Sequence, residues 1–247
     1  MSKKQIIAMG GGGFSEEPDN PVLDEYFLKQ TGKRNPSVCF IPTATGDADG
    51  YIVKFYTAFN KFRCRPCHLS LFRPPKDLAD FVLSQEAIYV GGGVTRNLLA
   101  LWREWDLDKF IRKAWRQGTL LGGISAGSLC WFEEGLSQLP GRFMVVSGLG
   151  LIKGSNTSHY NRPERRRAFR QRIGRGTLSN GVAADDGVAL HYIDTKLVHC
   201  VSSRHDVAAY RVSRVGGRAQ EEKIEVRYLG GRKGSTRESN RRRERRG

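Results

Sequence analysis

Gly123-Ile-Ser125-Ala-Gly127 places a serine between small residues, with the apolar run Thr119–Ile124 before it and Ser128-Leu-Cys-Trp-Phe132 after it. The pattern reads as strand, sharp turn and helix. Such a turn holds a hydroxyl out at a sheet edge and aims helix N–H groups at a developing oxyanion, which is the equipment of acyl transfer. A serine hydroxyl is a weak nucleophile without a base, so the five histidines, 68, 159, 191, 199 and 205, are the next candidates. His68, His191 and His199 lie in or beside strand-like runs, where a satisfied structural histidine is the usual occupant. His205, in Ser202-Ser-Arg-His-Asp206, reads as part of a turn. His159 follows Leu149-Gly-Leu-Ile-Lys-Gly-Ser-Asn-Thr-Ser158 in a loop after a strand, from which it could face the serine. His159 is the best-placed candidate base on these grounds, with His205 left open.

The elements that must position these groups alternate. Gln5–Met9, Ser37–Ile41, Pro66–Leu71, Ala87–Val90 and Thr119–Leu121 read as strands. Pro21–Thr31, Tyr51–Phe62, Asp77–Ser84 and a stretch from Thr95 to Gln117 broken near Trp105-Asp106 read as helices. This is the grammar of an α/β fold with a doubly wound, mostly parallel sheet. Four of its strands end in glycine-rich or small turns, at Gly10–Gly13, Thr43–Gly46, Gly91–Gly93 and Gly122–Gly127, and a parallel sheet collects such turns on one edge. Gly10–Gly13 lacks the spacing of a dinucleotide fingerprint. After about residue 180, Val188–Tyr192, Leu197–Val201, Val207–Val212 and Lys223–Tyr228 are strand-like with short polar connections, which predicts C-terminal antiparallel strands appended to the sheet.

The chain has 247 residues, 39% of them hydrophobic, enough for a substantial core and incompatible with disorder throughout. No run approaches a membrane span, and the N-terminus passes almost directly into a strand, so a cytoplasmic protein without membrane contact is expected. Five scattered cysteines argue for a reducing compartment, and Cys64-Arg-Pro-Cys67 has no second pair to complete a metal site. The formal charge of +16 divides unevenly: net +4 over residues 1–160 and net +12 over residues 161–247. Two segments account for all of the latter, Arg162–Arg175 and Arg232–Gly247, each carrying net +6. The second has no apolar residue to bury. The expected organisation is therefore one α/β domain over 1–231 and a basic, disordered tail over 232–247, with nucleic acid or other polyanions contacted, if at all, through that tail.

The motifs, taken together and in order, resemble the peptidase E family. They are Gly10-Gly-Gly-Gly-Phe-Ser15 with Pro18-Asp-Asn-Pro21; Tyr89-Val-Gly-Gly-Gly93 with Thr95 and Asn97-Leu-Leu99; and Ile124-Ser-Ala-Gly127 with Cys130-Trp-Phe132. His159-Tyr160, Pro163-Glu-Arg-Arg166 and Ala183-Ala-Asp-Asp-Gly187 follow. The resemblance covers roughly residues 5–212. It implies a cytoplasmic serine peptidase related to α-aspartyl dipeptidase and more distantly to cyanophycinase, on a fold similar to class I glutamine amidotransferases. Carried over by position, Ser125 is the nucleophile and His159 the base. Gly92 or Gly93 with the Ala126 N–H forms the oxyanion hole.

Two positions depart from the pattern. Where family members carry a Ser/Thr-Asp pair after the Trp-Phe-Glu-x-Gly segment, this chain reads Ser137-Gln138, so the position expected to orient the histidine holds Gln138. An amide oxygen can accept an imidazole N–H but cannot stabilise imidazolium by charge. Glu133 and Glu134 are nearby alternatives, and Asp185 and Asp186 the next after them. Val94 stands where the family turn has asparagine. The expected activity is that of a serine exopeptidase on short peptides, dipeptidase- or aminopeptidase-like, acting as monomer or homodimer without cofactor or metal. A catalytically weakened homologue that binds a peptide or small acidic ligand is the alternative that Gln138 and Val94 motivate.

Overall fold

The structure is a computed structural model and describes residues 3–139 and 141–230. In chain order the first half contains β1 (Gln5–Met9), α1 (Gly13–Glu16), α2 (Val22–Gln30), β2 (Ser37–Ile41), a 3-10 turn (Thr43–Thr45), α3 (Asp49–Phe59), β3 (Arg65–His68), α4 (Leu78–Leu83), β4 (Ala87–Val90), α5 (Thr95–Glu104), α6 (Leu107–Gln117), β5 (Leu120–Ile124) and α7 (Ala126–Leu129). The second half contains β6 (Phe132–Leu139), β7 (Arg142–Ser147), β8 (Ile152–Thr157), α8 (Pro163–Arg175), β9 (Gly181–Ala184), β10 (Val188–Ile193), β11 (Lys196–Ser202), β12 (Ala209–Val215), β13 (Arg218–Ile224) and β14 (Arg227–Tyr228).

Alternating apolar strands and amphipathic helices fold as the sequence predicts. The first sheet runs β14-β11-β10-β1-β5-β4-β2-β3. Its centre is parallel, β1 with β5, β5 with β4, β4 with β2 and β2 with β3, while β10 lies antiparallel to β1 and β11 to β10. The expected break in the long helical stretch falls at Asp106, whose φ of 53° ends one helix and begins the next. One face of the sheet packs a phenylalanine-rich layer in which Phe14 meets Phe40, Phe55, Phe59 and Tyr89 edge to face. The other face buries Trp102, Ile111 and Trp131.

The second sheet, β13-β12-β9-β8-β6-β7, goes beyond what sequence pattern revealed. β10 and β11 extend the main sheet antiparallel as expected, and the short β14 adds to β11 in parallel; β12 and β13 join the second sheet instead. The β6–β7 hairpin escaped the sequence reading because Phe132-Glu-Glu-Gly-Leu-Ser-Gln-Leu139 is rich in residues of low strand propensity, and its pairing with β7 and β8 supplies what local preference lacks. Helix α8 closes this sheet by burying Arg165, Phe169 and Ile173 at i, i+4 and i+8. The two sheets share a core, since Phe132, Ile152, Ala184 and Ala209 pack in one apolar cluster with Ile6, Leu121 and Leu190. The basic segment 232–247 lies outside the described residues.

This topology sets the site. Parallel pairing puts the C-terminal ends of β1, β4 and β5 on one edge. β10, antiparallel to β1, begins at that same edge, so the Asp185–Gly187 turn between β9 and β10 is delivered there. β8 is parallel to β9, with Thr157 opposite Ala183, and its C-terminal end carries His159 to the same place.

Candidate active site

Ser125 occupies a backbone position that L-residues rarely adopt, φ 56° and ψ −109°, between the end of β5 and the start of α7. The turn can pack this closely on β4 because glycines stand two residues to either side of the serine: a Cβ on Gly123 would stand 2.4 Å, and one on Gly127 2.1 Å, from the Val90 carbonyl oxygen of the adjacent strand. Ser125 is half-buried, and its N–H donates to the Met9 carbonyl across the sheet at 3.1 Å. The strand–turn–helix read from the sequence is thus present, with the serine at its apex.

His159 Nε2 lies 3.0 Å from Ser125 Oγ. The imidazole is 5% exposed, and the His159 backbone, at φ 52°, is anchored by its N–H donating to the Gly10 carbonyl at 3.0 Å. On the other side of the ring, Nδ1 makes a short hydrogen bond to Asp186 Oδ1. Asp186 Oδ2 in turn accepts from Asn161 Nδ2 at 3.1 Å, while the Asp186 N–H donates to Asn161 Oδ1 at 3.1 Å, so one amide side chain holds both the carboxylate and the backbone of Asp186. Burial pushes the Asp186 carboxyl up, but the hydrogen bond and charge of His159, the bond from Asn161 and the charge of Arg162 outweigh it and hold the group below the ordinary aspartate value. A Cβ on Gly11 would fall 2.2 Å from Asp186 Oδ1, so the glycine run after β1 serves to clear space for the acid.

Gln138, expected to orient the histidine, does not reach it. It sits exposed near the end of β6, and its Oε1 accepts from the Arg165 guanidinium of α8 at 2.8 Å. The segment that carries it is a strand, and its register beside β7 and β8 takes position 138 away from the imidazole. Glu133 accepts from the Gly154 N–H at 2.8 Å, and Glu134 accepts from the Ser179 N–H at 2.9 Å and its hydroxyl at 2.7 Å. Neither faces the histidine. Asp185 points the other way from Asp186, accepting from the Ala208 N–H at 2.9 Å, and burial raises its carboxyl. The partner of His159 is therefore Asp186, which the motif Ala183-Ala-Asp-Asp-Gly187 marked as acidic without saying which residue would face the ring.

The other histidines are placed elsewhere. His205 packs against the Tyr228 ring, His68 bonds Tyr56 at 2.9 Å, and His191 bonds Tyr26 at 2.8 Å and Gln5 at 3.0 Å, with burial lowering its pKa to about 4. Of the three backbone groups expected to cradle an oxyanion, Gly92 lies beside the serine, since a Cβ on it would be 3.3 Å from Ser125 Cβ. Its N–H, however, donates to the Tyr51 hydroxyl at 3.1 Å. The Gly93 and Ala126 N–H groups have no acceptor among the described residues. Val94, in place of the expected asparagine, keeps its turn closed through its own N–H, which donates to the Ala44 carbonyl at 2.8 Å. Glu16, His159 and Asp186 bring one ligand atom each within 4.8 Å of one another. Both imidazole nitrogens already face Ser125 and Asp186, which leaves a cation drawn there two carboxylates as partners.

Residues 6–200 match the profile of Peptidase family S51. The chain belongs to that family. It is 51% identical over 229 residues to the uncharacterized peptidase YgaJ of Bacillus subtilis (strain 168), a match covering 92% of this chain and all of the relative. Among solved structures, a peptidase from an acI-B1 Actinobacterium superposes with a TM-score of 0.64 at 17% identity, covering 90% of this chain and 97% of that one. A protein of Listeria monocytogenes EGD-e assigned as a peptidase E superposes with a TM-score of 0.59 at 18% identity, over 86% of this chain and all of the other. At such identities these two neighbours bear on the fold, which they share with this S51 member. No described helix of the chain is long and apolar enough to cross a membrane.

Proposed function

We propose that this chain is a serine exopeptidase that hydrolyses short peptides through Ser125, His159 and Asp186. The observation that carries the reading is the continuous pair of hydrogen bonds from Ser125 Oγ to His159 Nε2 and from His159 Nδ1 to Asp186. In the proposed sequence Ser125 Oγ attacks the scissile carbonyl carbon while its proton passes to His159 Nε2. The carbonyl oxygen becomes an oxyanion facing the Gly93 and Ala126 N–H groups. Collapse breaks the C–N bond, and the imidazolium gives its proton to the leaving amine. Water then repeats the attack on the acyl-serine and releases the acid. Asp186 fixes the tautomer in which Nε2 is free to accept and stabilises imidazolium by its charge, the role sequence reasoning gave to Gln138. With a carboxylate present, the weakened-homologue alternative loses the first of the two features that motivated it, Gln138, and keeps only Val94. The five free cysteines fit the reducing cytoplasm in which we place the protein.

A fluorophosphonate probe and a panel of dipeptides test the proposal. The wild-type protein should be labelled and should hydrolyse part of the panel. Ser125→Ala should lose labelling and at least about 10³ in kcat, because a Ser–His pair acts as a unit, with little change in thermal stability. Retention of wild-type kcat/KM by Ser125→Ala would refute the assignment.

A further inference from the structure

The described site holds a carboxylate that the hydrolytic sequence does not use. Glu16 ends the short helix after β1, is exposed, and lies with one oxygen inside the 4.8 Å cluster it forms with His159 and Asp186. It is not a freely waving surface group. Its Oε2 accepts from the Gly12 N–H at 2.9 Å, which ties the carboxylate to the turn after β1. A Cβ on Gly11 would meet Asp186 Oδ1 at 2.2 Å and Glu16 Oε2 at 2.8 Å, so both acids crowd over the same glycine. The charge of Glu16 also reaches the Tyr51 phenol, contributing to its upward shift behind the larger effect of burial. Tyr51 in turn receives the Gly92 N–H beside Ser125. Glu16 therefore lies beside the His159–Asp186 pair that flanks the nucleophile, and its charge is felt at the Tyr51 phenol.

Its neighbours do not neutralise it. Asp186 is spent on His159 and Asn161; Asp24, on α2, is buried beneath the same turn; Glu17 is paired with Arg204. The charge of Arg162 acts on Asp186, and no ion pair to Glu16 occurs among the described residues. In a chain of net charge +16, the mouth of this site is thus locally acidic. The group of a short peptide that such a spot recognises is a cation close to the scissile carbonyl, and every unblocked peptide carries one: the α-ammonium of its first residue, two bonds from the first carbonyl carbon.

We propose that Glu16 is the specificity-determining residue that receives the substrate's α-ammonium and so limits the enzyme to cleavage next to a free N-terminus. The proposal rests on the peptidase reading above but concerns binding, which can be measured without turnover. Full-length Ser125→Ala protein, in EDTA so that no divalent cation bridges the carboxylates, is titrated calorimetrically with a panel of Xaa-Ala dipeptides and their N-acetyl counterparts. The same titrations use Ser125→Ala/Glu16→Gln, in which the glutamine Oε1 can still accept the Gly12 N–H. Glu16→Gln should weaken the best-bound free dipeptides at least about tenfold, as expected for loss of a charge-assisted contact, without a comparable loss for acetylated ones. The advantage of free over acetylated peptides should fall as pH rises through the peptide amine, near 8, and be nearly flat in the glutamine variant. Equal loss for both peptide classes, no loss for either, or no binding of any free dipeptide at millimolar concentration overturns the proposal. Recovery of affinity by acetyl-Lys-Ala overturns the α-ammonium assignment in favour of a side-chain cation. A Glu16-dependent binding difference in a protein whose wild type hydrolyses nothing supports the amine site and refutes only the peptidase.

Discussion

Asp186→Asn tests the triad through a detail of its surroundings. Asn161 is held by the Asp186 N–H donating to its Oδ1, and its Nδ2 therefore points at position 186 as a donor. When the carboxylate becomes an amide, that donor draws the new carbonyl oxygen toward Asn161 and turns the new NH₂ toward His159 Nδ1. The imidazole must then accept at Nδ1 and carry its proton on Nε2, the nitrogen that should take the proton of Ser125. A serine-protease triad with the same exchange and the wrong tautomer loses about 10⁴ in kcat, or about 5.5 kcal/mol of transition-state stabilisation, and a loss of that order is expected here. The cause can be separated from the mere loss of charge. In Asn161→Ala/Asp186→Asn nothing pins the amide, which can rotate to offer its oxygen to Nδ1–H. The Asp186→Asn cost should then be at least about tenfold smaller on the Asn161→Ala background than in wild type. Steady-state kinetics on the best dipeptide, with an NMR assignment of the imidazole tautomer, reads both effects. Equal costs on the two backgrounds would refute the tautomer argument, and an Asp186→Asn enzyme with wild-type kcat would refute the triad.

Gln138 should prove structural. Gln138→Glu, which places a carboxylate opposite Arg165, should leave kcat within about twofold, whereas Gln138→Ala removes an acceptor from a guanidinium whose burial lowers its pKa to about 10 and should cost about 1–3 kcal/mol in denaturant unfolding. A large rise in kcat for either variant would return the orienting role to position 138. Asp24, buried beneath the Gly13 turn, has its carboxyl raised by that burial from 3.8 to about 7. The unfolded chain therefore releases this proton at lower pH than the folded one, and the contribution of Asp24 to stability falls as pH rises from about 4 to 7, by at most about 4 kcal/mol. Relative to Asp24→Asn, the wild type should lose stability between pH 5 and pH 8 in urea unfolding; a gap that is constant over that range would contradict the raised value.

Some of this protein was set by local sequence and some only by its assembly. The serine at a strand–turn–helix apex was legible because the features that make it, small flanking residues and an apolar run on either side, are all within fourteen positions, 119–132. The alternation of strands and helices was legible for the same reason, and so was the break at Asp106. His159 needed more than local pattern, since the residues around it left His205 open until the order of motifs was considered. The acid was beyond that reach. Whether Gln138, Glu133, Glu134, Asp185 or Asp186 meets the imidazole depends on the parallel register of β8 and β9, Thr157 opposite Ala183, and on which side of a single turn each carboxylate leaves. The placement of Glu16 beside that pair, and of Tyr51 on the Gly92 N–H, likewise depends on contacts across different elements. Turns and periodicity follow from steric and solvation preferences of neighbouring residues, which a sequence displays directly. The partner of a side chain dozens of residues away follows from how sheets twist, pair and share a core, and only the folded chain brings those groups together.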